Sequence, residues 1–203
     1  IPTKKNRKQV ENALEFSIKM HHGQTRKSGL PFVSHCIDVA NILIDWNMDH
    51  TTVVSALLHD VVEDTEVKLS DIEEEFGSDV ALLVDGVTKV ENIAFRSKKH
   101  KQAENFTKLF LSLARDLRVI IIKFADRLNN METIQYLSSK KRKEIALETK
   151  EIFVPLAHRL GMAQLKWKLE DLSLKCLDLR AFNGIKKKIE TSSRLNEDIL
   201  SNA

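Results

Sequence analysis

The run Ala56-Leu57-Leu58-His59-Asp60-Val61-Val62-Glu63-Asp64-Thr65 gathers four chemically active side chains into one short stretch. On a helix, Asp60, Glu63 and Asp64 are neighbours at i, i+3 and i+4, and His59 sits over Glu63. Carboxylates stacked this closely repel one another unless a cation or a proton stands between them. A divalent metal answers that need, because imidazole nitrogen and carboxylate oxygen together suit such an ion, and the chemistry is then metal-dependent hydrolysis. The competing reading is an ordinary amphipathic surface helix. Val53, Val54, Leu57, Leu58 and Val61 fall on one side of the helical wheel, and His59, Asp60, Glu63 and Asp64 fall on the other, facing water.

Two further stretches bear on the choice. Val119 to Met131 is apolar almost all round a helical wheel, which marks a buried helix, and Asp126 within it is costly unless paired. Its partner is either a metal or a basic neighbour such as Lys123 or Arg127. The other stretch is Arg26-Lys27-Ser28-Gly29-Leu30-Pro31-Phe32-Val33-Ser34-His35. There a cationic pair precedes a Gly-Pro turn, and a histidine opens the next helix. Such a segment can hold an anionic substrate beside a metal ligand, or it can be a solvated pair followed by a capping or core histidine.

The elements that must position these residues read as helices. Gly and Pro are few in the 203 residues, aliphatic residues are plentiful, and strand alternation is almost missing, so an all-α helical bundle with one sizeable core is expected. Val10, Ala13, Leu14 and Ile18 mark a first helix over Lys5–Met20. Further helices are expected at 35–46, 50–64 (capped through Asp49-His50-Thr51-Thr52), 69–76 and 78–86. Residues 87–101 gain positive charge and read as a mobile basic loop. Helices resume at 102–114, 116–131, 140–153, 156–160 and 164–178, with Pro155 at a junction. Residues 1–180 read as one domain. The polar tail over 181–203, with Lys186-Lys187-Lys188, reads as a linker helix toward something further on.

The small net charge of +3 makes no general demand for nucleic acid or an anionic membrane. Cys36 and Cys176 form no CxxC and no framework, so a reducing compartment is expected, with both thiols as core packing. No apolar run has membrane length and no signal peptide opens the chain. A cytoplasmic protein, trimmed at its first residue, is the expectation.

At these residues the chain resembles the metal-dependent HD-type hydrolase domain of the RelA/SpoT family, whose members make and destroy guanosine tetra- and pentaphosphate. The resemblance is carried by His22 to Gly29, Ala56 to Thr65, Leu83 to Lys89, Gln102 to Phe106, Ala125 to Met131, Pro155 to Gly161 and Leu169 to Leu172. It implies an HD-domain phosphohydrolase bundle in which His35, His59, Asp60 and Asp126 ligate Mn2+. It also implies that Glu63 and Asp64 activate and position the attacking water. Arg26, Lys27 and Ser28 would form the nucleotide-binding turn, and Asn130 and Thr133 would contact the nucleoside. A covalently linked synthetase domain and regulatory domains are the implied partners, with this chain as the N-terminal piece.

Two positions depart from the family pattern. Cys36 stands where Pro is usual, and Asn129 where His is usual. Neither replaces an expected ligand, although Cys36 could add a soft one. The His59-Asp60 pair, which is typically lost in members without hydrolysis, is intact. The implied activity is removal of the 3′-pyrophosphate from the guanosine alarmones, in control of the stringent response. The rivals are a general HD-type nucleotide phosphohydrolase and a catalytically silent alarmone sensor that regulates a synthetase. A third, RNA binding through Arg96 to Lys101, has little support from the overall charge.

Overall fold

A computed structural model describes residues 3–96 and 116–201, with side chains described for 3–89 and 116–191. Its regular elements are helices: α1 (Lys4–Met20), α2 (Val33–Asp45), α3 (His50–Leu58), α4 (Val61–Asp64), α5 (Leu69–Phe76), α6 (Ser78–Arg96) and α7 (Leu117–Glu132). A 3-10 turn (Ile134–Tyr136), α8 (Ser139–Glu148), a π-helical turn (Thr149–Phe153), α9 (Val154–Arg159), α10 (Ala163–Leu177) and α11 (Leu179–Ser201) follow. Extended pairing among the described residues is a single bridge between Thr25 and Pro31. The all-α expectation holds.

The chain divides into two compact units, Ile1–Asn129 and Asn130–Ala203. In the first, α1 and α2 pack on α3, α3 packs on α6, and α5 packs on α6. The core of this unit includes Val39, Leu43, Val54, Leu58, Ile72, Leu83, Ile120, Ile122 and Phe124. In the second, α10 packs against α8, the π turn, α9 and α11, and Ala146, Leu156, Ala157 and Leu169 are buried.

Three expectations about helix limits are corrected. The helix expected over 50–64 is two helices. α3 begins at Asp49, whose Oδ1 accepts a bond from the Thr52 amide at 3.1 Å, and it ends at Leu58. His59 and Asp60 form a turn between the two helices, with Asp60 at φ −92° and ψ −10°, at the edge of the right-handed helical region. No Gly or Pro marks this break. α3 is also not amphipathic in place: Thr52 to Leu58 are all buried, with the Thr52 and Ser55 hydroxyls donating to Asp49 Oδ2 and Thr51 O.

The second correction concerns 87–101. Helix α6 continues to Arg96, so the first ten residues of the expected loop are helical. The signal was in the sequence, since Val84, Val87, Val90 and Ala94 recur at spacings of three and four, and Lys89 pairs with Asp85 one turn earlier. Gly86, where the expected helix ended, sits inside α6. A Cβ there would lie 2.6 Å from Val119 Cγ2, so glycine allows α6 and α7 to approach closely. Residues 97–101, and the helix expected at 102–114, lie outside the described residues.

The third is the run 140–153, which is α-helical to Glu148 and then π-helical. Pro155 stands in the first turn of α9 and has no N–H to give to the preceding turn, and a π bulge accommodates that loss. No described helix is long and apolar enough to cross a membrane.

Candidate metal centre

The break between α3 and α4 is what turns a helix end into a site. His59 is 1% exposed, so it lies in the core and not on a solvated face. Its Nδ1 is 2.7 Å from the Ala56 carbonyl oxygen. A carbonyl can only accept, so Nδ1 carries a proton and Nε2 is the ring atom left to serve as a ligand. That Nε2 is buried without a hydrogen-bond partner. It faces Asp60 Oδ1 at 3.0 Å.

His35, in the first turn of α2 and 3% exposed, brings a second imidazole. The His35 and His59 ring centroids are 5.5 Å apart. His35 Nδ1 is 2.7 Å from Asn129 Oδ1, which also accepts from Arg26 Nη1 at 3.2 Å, while Asn129 Nδ2 donates to Asp38 Oδ2 at 3.4 Å. The arginine identifies the amide oxygen, so His35 Nδ1 is a donor and its Nε2 points inward. That atom is 3.2 Å from Asp126 Oδ1 and 3.6 Å from Asp60 Oδ2.

Asp126 is 8% exposed on α7, and its other oxygen takes a bond from the buried Lys123 Nζ at 2.9 Å. The basic neighbour and the inward-facing oxygen therefore coexist. The two readings of Asp126 left open by the sequence are both represented in its geometry.

The electrostatics follow from that arrangement. Burial pushes the His35 pKa down, but the hydrogen bond and charge of Asp126, with Asp60 behind it, more than offset this and raise it above 6.5. Burial pushes Asp126 up, and the Lys123 ammonium and the His35 bond overcome it, holding the carboxyl well below the usual range. The Cys36 thiol is pushed up to about 12, first by burial and next by the Asp60 charge.

One donor atom each from His35, His59 and Asp126 lies within 4.8 Å of the others, and the same holds for Cys36, His59 and Asp60. An orphaned imidazole nitrogen facing a carboxylate, with a second imidazole and a second carboxylate converging on it, fits a divalent cation. His35, His59, Asp60 and Asp126, the four residues that the resemblance names, lie side by side here.

The other expected site residues are placed less tightly. Glu63 and Asp64 lie in the last turn of α4 and are exposed. Gln24 Nε2 donates to the Asp64 carbonyl at 2.9 Å, which ties α4 to the turn carrying Arg26. That turn closes through Gly29 N to Arg26 O and Arg26 N to Leu30 O, both at 2.9 Å. Gly29 sits at φ +85°, a conformation that L side chains rarely adopt. Lys27 is exposed, while Arg26 and Ser28 are half-buried. Asn130 and Thr133 belong to the second unit, at the end of α7 and just after it, and both are half-buried.

Sequence reasoning treated Asn129 only as a departure and did not single out Asp38 or Gln24. Asn129 is the residue that holds His35 and Arg26 together, and only its position in the buried α7 run hinted at such a role.

The HD domain family model matches residues 13–163. Among curated proteins, the chain is 44% identical over 180 residues to the guanosine-3′,5′-bis(diphosphate) 3′-pyrophosphohydrolase of Haemophilus influenzae, covering 89% of this chain and 27% of that protein. It is 44% identical over 185 residues to the bifunctional (p)ppGpp synthase/hydrolase SpoT of Escherichia coli K12, covering 91% and 26%. To a GTP pyrophosphokinase of Streptomyces coelicolor it is 43% identical over 194 residues, covering 96% and 23%. The chain therefore spans about a quarter of the length of these relatives. A solved structure described as a metazoan ortholog of SpoT that hydrolyzes ppGpp superposes with a TM-score of 0.64 at 29% identity, covering 85% of this chain and 95% of that one.

Proposed function

The chain belongs to the HD domain family and to its RelA/SpoT branch, and from that premise we propose that it hydrolyses the 3′-pyrophosphate of guanosine tetra- or pentaphosphate. The products are GDP or GTP and pyrophosphate. The observation that carries the reading is the pair of imidazole Nε2 atoms converging on Asp60 and Asp126, an arrangement of donors that fits a hard divalent cation. The relatives named for this hydrolysis support the substrate.

His35, His59, Asp60 and Asp126 would hold the metal, and manganese is the ion we assign; it would supply acidification of water and a sink for charge on phosphoryl oxygens. Glu63 accepts the proton of the attacking water, and Asp64 positions it; both carboxylates lie within one turn of the ligand Asp60. Arg26 stacks on or pairs with the anionic nucleotide as a charge that cannot be lost, and the backbone of the Lys27-Ser28-Gly29 turn fixes where that charge is presented. Asn130 and Thr133 supply amide and hydroxyl groups to the nucleoside. Asn129 keeps the His35 tautomer with Nε2 inward while bonding Arg26, so ligand and nucleotide anchor share one acceptor oxygen. Synthetase and regulatory domains adjoin the domain in the full-length protein, with α11 leading toward them and residues 1–180 forming the hydrolase domain. The reaction serves cytoplasmic stringent-response control.

A substrate panel tests this. With Mn2+ present, guanosine tetraphosphate and pentaphosphate should release pyrophosphate, while guanosine mono-, di- and triphosphates should not react. Comparable turnover of ordinary triphosphates would instead assign a general nucleotide phosphohydrolase. Binding of the tetraphosphate without turnover in the metal-loaded protein would assign a sensor.

A further inference from the structure

The hydrolase reading uses His59 and Asp60 with His35 and Asp126, yet the same two residues belong to a second group of converging donors. Cys36 follows His35 on α2 and is fully buried. Its Sγ, one His59 ring nitrogen and one Asp60 oxygen lie within 4.8 Å of one another. His59, whose Nε2 is buried and lacks a hydrogen-bond partner, is the residue that both groups share. Cys36 is free and forms no disulfide.

We propose that Cys36, His59 and Asp60 form an alternative coordination site for a thiophilic divalent cation, zinc or cadmium, in competition with the hard-ion set. Sulfur is the discriminating donor. Thiolate selects soft and borderline cations, whereas carboxylate and imidazole serve manganese without it. One sulfur, one nitrogen and one oxygen ligand match the three-protein-ligand sites that zinc occupies with a fourth position open. On binding, the Cys36 thiol proton passes to solvent and the sulfur lone pair goes to the ion, so the step needs no oxidant. An ion seated on Cys36 draws His59 and Asp60 away from His35 and Asp126, and manganese is displaced. The proposal rests on the reading of His59 and Asp60 as metal ligands.

The test uses the metal-free protein and Cd2+ alone, followed by the near-ultraviolet thiolate-to-cadmium absorption and by calorimetry. The wild type should develop the band and saturate it, and C176S should keep it, because Cys176 is a half-buried residue whose Sγ donates to the Arg142 carbonyl at 3.6 Å. C36S should abolish the band and weaken Cd2+ binding by about tenfold or more, the least expected for losing a ligand rather than an outer contact. Its Mn2+ affinity should stay within about threefold of wild type, since no sulfur serves the hard ion. C36A guards against a fold effect of the buried hydroxyl and should behave alike. A band that survives C36S, or no band in a wild type that binds Cd2+, overturns the proposal, as does failure of Cd2+ to bind. Loss of Mn2+ binding in a wild type that still shows a Cys36-dependent band would sink the hard-ion reading and leave this one standing.

Discussion

Asn129 offers the sharpest perturbation of the centre that leaves every ligand in place. Its Oδ1 accepts from His35 Nδ1 at 2.7 Å and from Arg26 Nη1 at 3.2 Å. An amide oxygen has two lone pairs and so can serve both donors. N129L keeps roughly the volume and removes the acceptor. His35 Nδ1–H, on a residue 3% exposed, is then left buried without that bond, at a cost of about 1–3 kcal/mol in stability. The ring is also free to turn Nε2 away from the metal. Losing such an outer-shell partner typically weakens metal binding by about 10–100-fold, or about 1.4–2.8 kcal/mol. N129D keeps the oxygen acceptor for His35 and Arg26 but turns the 3.4 Å amide contact to Asp38 into a pair of carboxylates, so it should recover the affinity only in part. Calorimetric Mn2+ titration of the three proteins, beside urea melts, reads both quantities. Wild-type metal affinity in N129L would refute the claim that Asn129 orients His35.

Other outcomes follow from the same geometry. Glu63→Gln keeps size and removes the charge of the proposed base, so turnover should collapse while Mn2+ occupancy holds; an equal loss of metal would make Glu63 a ligand. Arg26→Ala should weaken nucleotide binding by about 1.5–3 kcal/mol, the range for a hydrogen bond to a charged group. Metal content should persist there, because His35 keeps its own bond to Asn129, and equilibrium dialysis measures both. Asp116 is held below its ordinary 3.8 by hydrogen bonds from Arg118, with burial opposing and the Arg118 amide and charge assisting. A lowered folded pKa means that this stabilisation is present above about 3.8 and is lost as pH falls through the folded value. D116N should therefore be less stable than wild type near pH 7 and converge with it in acid, which urea midpoints across that range will show. A constant difference would remove Asp116 from the acid response.

How far the sequence carried the account depends on the physics of each element. Val119 to Met131 was legible as a buried helix because its apolar residues leave no polar face, and Leu69–Phe76 because Gly77, at φ +93°, stops it cleanly. Asp49 capped α3 as its type suggests. The break at His59-Asp60 was not legible, since no Gly or Pro marks it; it shows only in the structure, where His59 is buried at the turn. The helix end expected at 86 failed because the charge gained after it does not end a helix, and the role of Gly86, to let α6 approach Val119 of α7, shows only in the packing. In the site, residue type alone left His35 and Asp126 open and the resemblance supplied the ligand candidates, whereas Asn129 stood out in neither way: an amide shows its value only when His35 and Arg26, 94 and 103 positions away in sequence, arrive on either side of it.

The central claim is that the ion held at His59 and its neighbours drives release of pyrophosphate from the guanosine tetraphosphate. The most direct measurement adds Mn2+ back to chelator-stripped protein and records bound metal and pyrophosphate release together, in wild type and in H59A of unchanged helical content by circular dichroism. The account predicts no release without the ion, a rate that climbs with occupancy in the wild type, and neither occupancy nor release in H59A. Pyrophosphate release by the metal-free protein, or metal and rate both surviving in H59A, would contradict it.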